Sequence, residues 1–175
     1  MYKIKITNKM RKEAQQLAKQ KVIVQNKHNC QPKFESNKFQ FDSDYIGFLG
    51  QIVYRKYLRT TNQEYTERVI INGKGDNGYD FKVNGELIDV KSSQMRYQFK
   101  DTKWDKKWFF LLNRWQVEDS HADYFVSVQI SMHQKFGYMM GHITPNEVIA
   151  NGLMKSSQYS HNYNVLFSWL TERIE

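Results

Sequence analysis

The sequence predicts an α/β (α+β) fold in which a central mixed sheet is flanked by helices. Three patterns lead to this prediction: a two-residue turn signal at Asn84-Gly85, an apolar stripe of helical period within residues 44–58, and strand-like apolar runs at 123–130 and 137–143. The chain has 175 residues, of which 40% are hydrophobic and 25% charged, so we expect a globular protein with a sizeable core.

Each element is predicted from a local pattern. Apolar residues three and four positions apart indicate helices, and short runs rich in β-branched and aromatic residues indicate strands. Thr144, Pro145 and Glu147 occupy the N-cap, first and third positions of a helix start. The predicted elements are a helix over 9–22, an irregular segment over 23–40, a helix over 44–58 with Ser43 as N-cap, strands at 68–72, 78–83, 86–91, 108–112, 123–130 and 137–143, a helix from Thr144, and a last helix over 164–174.

The most informative segment is the hairpin around Asn84-Gly85. Both residues favour a type I′ turn, because its two central positions need φ > 0. Counting outward from that turn places Asp80 opposite Asp89 as a non-hydrogen-bonded pair. Since side chains alternate along a strand, one face is apolar and the other carries charge. The apolar face holds Phe81, Val83, Ile88 and Val90, and the charged face holds Asp80, Lys82, Asp89 and Lys91.

Two carboxylates that face each other indicate a metal site. Such a pair is destabilising by itself, and Mg²⁺, which is commonly held by one or two carboxylates, removes the repulsion. Lys91 lies two residues beyond Asp89 on the same face, where an ammonium would sit beside a bound phosphate. The alternative interpretation is an ordinary solvated strand face.

The spacing of Asp80 and Asp89-Val90-Lys91 resembles that of the PD-(D/E)XK nuclease superfamily. Residues 44–58 look like the helix that precedes the hairpin in that family, 123–130 like its later core strand, and 137–147 like a strand-then-helix segment of phage and bacterial members. The resemblance covers residues 41–150. It implies a restriction-endonuclease-like αβββαβ core, a Mg²⁺-dependent nuclease activity for which Mn²⁺ is a possible substitute, and DNA rather than RNA as the polymer.

The resemblance also implies roles for individual residues. Asp80, Asp89 and the carbonyl of Val90 would hold the metal, which would polarise the phosphate and activate a water. Lys91 would orient or deprotonate that water, or stabilise charge in the transition state. Gln51 stands where many members carry a glutamate, and it could orient the water without adding charge. Asp44, seven residues earlier, is the alternative source of a carboxylate or a residue that suits the helix dipole.

The net charge of +8 lies entirely in the N-terminal segment. Residues 1–40 contain ten Lys and Arg against two Asp and Glu, whereas residues 41–175 contain sixteen of each sign. We therefore predict a basic N-terminal helix and arm over 1–40 that grips nucleic acid, followed by a nuclease-like domain over 41–175. The predicted nucleic-acid contacts are Lys9, Arg11, Lys12, Lys19, Ser92, Lys103, Lys106 and Lys107. The apolar residues of the helix at 9–22 leave open that it docks on the core.

Other classes of function remain open at this point. A catalytically inactive nucleic-acid-binding protein with the same fold is the main alternative, and a modulator of another nucleoprotein is a third. A homodimer is compatible with a nuclease that cuts both strands. Cys30 is the single cysteine, so no internal disulfide can form, and a cytoplasmic location in a bacterial or phage-infected cell is expected.

Overall fold

A mixed sheet with helices on one face and a second, smaller sheet on the other is the main feature of the fold. The computed structural model describes residues 2–27, 37–68, 78–95, 109–133, 135–151, 153–157, 160–167 and 170. The elements are β1 (Tyr2–Lys5), α1 (Asn8–Lys27), α2 (Asn37–Thr60), β2 (Tyr65–Glu67), β3 (Phe81–Val83), β4 (Glu86–Gln94), β5 (Phe109–Asn113), α3 (Arg114–Glu118), β6 (Tyr124–Ser131), β7 (Phe136–Ile143), α4 (Pro145–Asn151), β8 (Leu153–Ser157) and β9 (Ser160–Leu166).

The larger sheet has the strand order β1-β7-β6-β4-β3-β2. Its neighbouring strands are antiparallel except β4 and β6, which run parallel. Strands β5, β9 and β8 form a separate antiparallel sheet. The fold class predicted from the sequence, mixed α+β with a central mixed sheet flanked by helices, is confirmed at this level.

Two hydrophobic cores lie on opposite faces of the larger sheet. In β6, Val126 and Val128 belong to the first core, whereas Phe125 belongs to the second, because successive side chains of a strand point to opposite faces. The first core is closed by α1 and α2, and the second by the smaller sheet with α3 and α4. Of the described helices, none has the length and apolar character needed to cross a membrane.

Helix α2 carries the predicted buried stripe but begins earlier than expected. Leu49, Val53 and Tyr57 are buried against the sheet. The prediction of Ser43 as N-cap is wrong, because the helix already starts at Asn37 and Ser43 lies inside it. The irregular segment predicted over 23–40 is also wrong in part, since α1 continues to Lys27; residues 28–36 lie outside the described ranges.

The N-terminal residues are built into the first core. Strand β1, which was not predicted, pairs with β7 at the edge of the sheet. Helix α1 buries Met10, Ala14 and Ala18 in the same core as α2. Arg55 of α2 adds a polar connection, because it donates to Glu13 of α1 and to Glu67 of β2. The structure therefore shows that the helix predicted at 9–22 docks on the core.

The C-terminal elements differ most from the prediction. The strand at 108–112 is confirmed as β5, and the helix start at Thr144 is confirmed by the mutual bonds of Thr144 and Glu147. The helix expected over 164–174 is wrong at its start, because residues 160–166 form β9. Tyr163 and Val165 are buried at alternate positions there, which is the period of a strand. The described ranges do not include most of residues 167–175. They also leave out residues 69–72 of the strand expected at 68–72.

Candidate active site

The hairpin that carries the candidate site forms as predicted near its turn. Asn84 and Gly85 have φ values of 49° and 96°, as a type I′ turn requires. The register pairs Val83 with Glu86 and Phe81 with Ile88. The predicted apolar face is confirmed as part of the first core, in which Phe81, Val83, Ile88 and Val90 are buried.

The ladder between β3 and β4 stops one residue before the expected pair of aspartates. Ile88 is the residue of β4 that faces Phe81. The Asp80 N–H also donates to the Ile88 carbonyl, at 2.8 Å. The Asp80 carboxylate then takes the place of the next rung, because its Oδ2 accepts from the Val90 N–H at 2.8 Å. The prediction that Asp80 and Asp89 form a cross-strand pair is therefore wrong in register. Asp80 is instead anchored to the peptide N–H that directly follows Asp89.

Helix α2 supplies a second partner for Asp80. The Gln51 Nε2 donates to Asp80 Oδ1 at 2.7 Å, so both oxygens of this 7%-exposed carboxylate carry a hydrogen bond. The helix reaches this position because Gly50 lies against Ser92 of β4, where a Cβ on Gly50 would come within 2.4 Å of the Ser92 Cβ. The Ser92 hydroxyl donates to the Ile46 carbonyl at 3.0 Å and fastens the helix to the strand. Ser92 thus serves helix packing in this structure.

Asp89 and Lys91 form an ion pair on the face of β4 opposite to Ser92. The Lys91 Nζ lies 2.7 Å from Asp89 Oδ2, and the two side chains are only 19% and 11% exposed. The same ammonium lies 5.8 Å from the centre of the Phe125 ring. A charged pair with this little exposure is held in place by its surroundings, unlike the freely solvated pairs that are common on strand surfaces.

A buried polar strip extends from this ion pair along β4 and β6. The parallel register sets Lys91 beside Ser127 and Ser93 beside Gln129. Ser93 donates to Gln129 Oε1 at 2.9 Å, whereas Ser127 Oγ and Gln129 Nε2 are buried and have no hydrogen-bond partner among the described residues. The sequence analysis missed these residues. Their signal was the alternation of Ser127, Gln129 and Ser131 with Val126, Val128 and Ile130 in an otherwise apolar strand.

The donor set around the Asp89–Val90 peptide suits Mg²⁺. Asp80 accepts hydrogen bonds from Gln51 and from the Val90 N–H, and Asp89 is paired with Lys91. A carboxylate has about four lone-pair sites and can accept from several partners. The Val90 carbonyl points to the same strand edge as the Val90 N–H that Asp80 binds. Mg²⁺ is typically held by one or two carboxylates and completes its shell with water and phosphate oxygens. In the described ranges, no three His, Cys, Asp or Glu residues cluster as a metal cage would require.

The other predicted residues fall in separate places. Asp44 is bonded to Lys21 at 2.7 Å and serves the contact between α1 and α2. Lys9, Lys12 and Lys19 are exposed on α1. The Nε and Nη2 atoms of Arg11 are buried, and in the described part of the chain they have no hydrogen-bond partner. The three predicted contacts after β4 lie outside the described residues: Lys103, Lys106 and Lys107. Comparisons with known protein families, curated proteins and solved structures find no match to this chain.

Proposed function

We propose that this protein is a Mg²⁺-dependent nuclease that hydrolyses phosphodiester bonds, with DNA as the expected polymer and internal bonds as the expected targets. The observation that carries the proposal is the junction at the Asp89–Val90 peptide. There the Asp80 carboxylate binds the Val90 N–H, Asp89 precedes it, and Lys91 follows with its ammonium on Asp89. Two carboxylates, a carbonyl and an ammonium group are thus contributed by four residues of one hairpin: Asp80, Asp89, Val90 and Lys91.

The bound metal would supply a Lewis acid for the phosphate and an activated water. Asp80 and Asp89 would hold the metal, and Asp80 is kept in position by the Gln51 amide and the Val90 N–H. Lys91 places a positive charge next to the Asp89 carboxylate, where it would stabilise the extra negative charge of the transition state. Gln51 lies at the edge of the same site and positions Asp80, so it is a positioning residue in this proposal.

The order of the elements supports the proposal independently of the side chains. Helix α2 is followed by the antiparallel strands β2, β3 and β4, and β6 then returns parallel to β4. A restriction-endonuclease-like αβββαβ core has this order of helix, three-stranded meander and parallel strand. Between β4 and β6 the described part of the crossover contains β5 and the five-residue helix α3.

A nucleic-acid-binding protein without catalysis is the second candidate. Two observations favour it. An uncharged amide, Gln51, contacts Asp80 where the resembling family often has a glutamate, and the ammonium of Lys91 already balances the charge of Asp89. A site neutralised in this way attracts a cation less strongly than one with an additional carboxylate.

The deciding experiment incubates the protein with supercoiled plasmid, linear duplex, single-stranded DNA and RNA, each with Mg²⁺, Mn²⁺ or EDTA. The proposal expects Mg²⁺-dependent nicking or cutting of plasmid that EDTA abolishes. The Asp89→Asn variant, purified in parallel, should be inactive and exposes any contaminating nuclease. Binding of nucleic acid without cleavage by the wild-type protein would select the second candidate. Failure to bind and to cleave would exclude both.

A further inference from the structure

A cavity of about 280 Å³ lies between the C-terminal half of α2 and the hairpin end of the larger sheet. It is separate from the Asp80 and Lys91 contacts, which lie further along β4. Its walls include the rings of Tyr54 and Tyr57 from α2 and of Tyr124 and His142 from the sheet. Asn84 and Glu86, both exposed at the hairpin turn, line it where it reaches the solvent.

The walls are suited to a flat ring. The Tyr124 and His142 rings stand edge to face, with centroids 5.0 Å apart and an interplanar angle of 88°. Only 6% of Tyr54 is exposed, and its ring packs edge to face on that of Phe81 with the ring centroids 5.2 Å apart. Aromatic side chains arranged in this way bind planar ligands by stacking and edge contacts. A cavity of this size holds one small ring system, since drug-sized ligands generally need 300 Å³ or more.

The polar groups of the cavity specify the ligand further. Burial, followed by the nearby Tyr57 and Glu86, raises the pKa of Tyr54, so its phenol stays protonated and can donate. Among the described residues that line the cavity there is no lysine or arginine, which argues against a phosphate or carboxylate ligand. Glu86 offers acceptor oxygens at the mouth, and a carboxylate pairs with an amino group rather than with a carbonyl.

We propose that this cavity binds a nucleobase that has left the base stack, and that it prefers a base with an exocyclic amino group. The choice of a nucleobase rests on the proposed function. Carboxylates recognise the N4 amino group of cytosine, whereas thymine and uracil have a carbonyl at that position. Because the cavity lies between α2 and the sheet, a base must leave the stack before it can enter.

The position of the cavity is compatible with a strand bound at the candidate active site. Gln51, which contacts Asp80, and Leu58, which lines the cavity, are seven residues apart on α2. That separation corresponds to about 10 Å along the helix axis. About three stacked nucleotides span the same distance at roughly 3.4 Å each. A base a few nucleotides from the scissile phosphate would therefore lie within reach of the cavity.

The test is a nucleoside titration followed by NMR, without metal and with EDTA present. Cytidine and uridine are the matched ligands, because at C4 one carries an amino group and the other a carbonyl. We expect saturable shifts of the backbone signals of Asn84, Tyr124 and His142, with cytidine binding roughly fivefold or more tightly, at the low end of a base-specific contact. The absence of saturable shifts with either nucleoside up to about 10 mM, well above a millimolar dissociation constant, would overturn the site.

Variants separate the amino-group preference from general binding. Glu86→Gln should bring the two dissociation constants together, because an amide both donates and accepts. Tyr54→Phe should weaken both nucleosides, and Glu64→Gln, an exposed acid of the neighbouring turn, should change neither. Equal affinities in the wild-type protein would overturn the preference. Since the titration needs no cleavage, a protein that cuts plasmid but binds neither nucleoside refutes this inference alone, and the reverse result refutes only the nuclease.

Discussion

Among single residues, the partners of the two aspartates explain how they coexist so close to one peptide. Asp80 accepts two hydrogen bonds, from Gln51 and from the Val90 N–H, and Asp89 accepts the Lys91 ammonium. Donors of this kind stabilise ionised carboxylates in partly buried positions. Protein groups by themselves thus offset the repulsion that was expected from the sequence.

Lys91 is the residue whose removal should separate catalysis from metal binding. The Lys91→Ala variant is expected to lose roughly 10²–10³-fold in cleavage rate, the usual effect of one electrostatic stabiliser. Metal affinity should stay the same or rise, because Asp89 loses its bound ammonium. Cleavage rates and Mg²⁺ titrations measure the two quantities. Lys82→Ala, an exposed lysine of the adjacent strand, is the matched control, and equal rates for both variants would reduce Lys91 to a structural role.

Gln51 tests whether the Asp80 carboxylate lies at a cation site. Gln51→Glu replaces the amide donor at 2.7 Å from Asp80 with a carboxylate, so the variant should melt at a lower temperature than the wild type in EDTA. Mg²⁺ should restore that loss and stabilise the variant more than the wild type, since a ligand stabilises the state to which it binds. Thermal melts with and without Mg²⁺ check this. Gln16→Glu, exposed on α1, should show neither effect. A variant that melts lower and ignores Mg²⁺ would argue against a metal at this point.

At the scale of elements, the contact between α2 and β4 depends on one of the two helical glycines. Gly47 and Gly50 both lie inside α2, where glycine is less favourable than alanine. A Cβ on Gly50 would overlap Ser92, whereas a Cβ on Gly47 meets nothing within 4 Å. The helix therefore approaches the sheet closely at Gly50, whereas Gly47 faces open space.

The two glycines provide a matched pair of substitutions. Gly47→Ala should stabilise the protein by about 0.5–1 kcal/mol, because alanine loses less backbone entropy in a helix. Gly50→Ala should destabilise it by about 1–3 kcal/mol, the usual cost of overpacking, and should move Gln51 away from Asp80. Denaturant unfolding measures both changes. If the two variants had the same stability, the close packing of α2 on β4 would be refuted.

The elements that could be predicted are those specified by neighbouring residues. Asn84-Gly85 sets the turn and therefore the register as far as Phe81, because both depend on local φ values. The end of the β3–β4 ladder at Asp80 could not be predicted, because the Asp80 side chain there accepts the Val90 N–H that a backbone carbonyl would otherwise accept. Strand β1 could not be predicted from its four residues either, because they form a strand only by pairing with β7. Gln51 was assigned to the site from the family resemblance, and the structure shows that its amide bonds the Asp80 carboxylate.

For the molecule as a whole, the excess positive charge lies on a segment that is also structural. Ala14 and Ala18 are fully buried, so deletion of residues 1–22 would remove part of the first core together with its lysines. Weakened binding by a truncated protein would then have two explanations. Substitution of the exposed lysines alone removes the ambiguity.

We expect the triple variant Lys9→Gln, Lys12→Gln, Lys19→Gln to bind duplex DNA more weakly and to melt at the wild-type temperature. The slope of log affinity against log salt should become shallower by about 0.9 for each lysine that contacts a phosphate. Fluorescence anisotropy in EDTA over a range of salt concentrations measures it. The control replaces three exposed lysines elsewhere, Lys56, Lys82 and Lys135. An equal loss in both variants would mean that net charge, and no particular face of α1, attracts the polymer.

The pairing of β1 with β7 determines when the protein can finish folding during synthesis. Ile4 pairs with Gly137, so roughly 130 residues must be added before the first strand meets its partner. Translation at 5–20 residues per second makes this delay on the order of ten seconds. Until then, α2 is the main element against which the apolar side of α1 can pack, once residues 37–60 have been made. The nascent chain therefore depends on the contact between these two helices, and a chaperone that shields them would act before β7 is made.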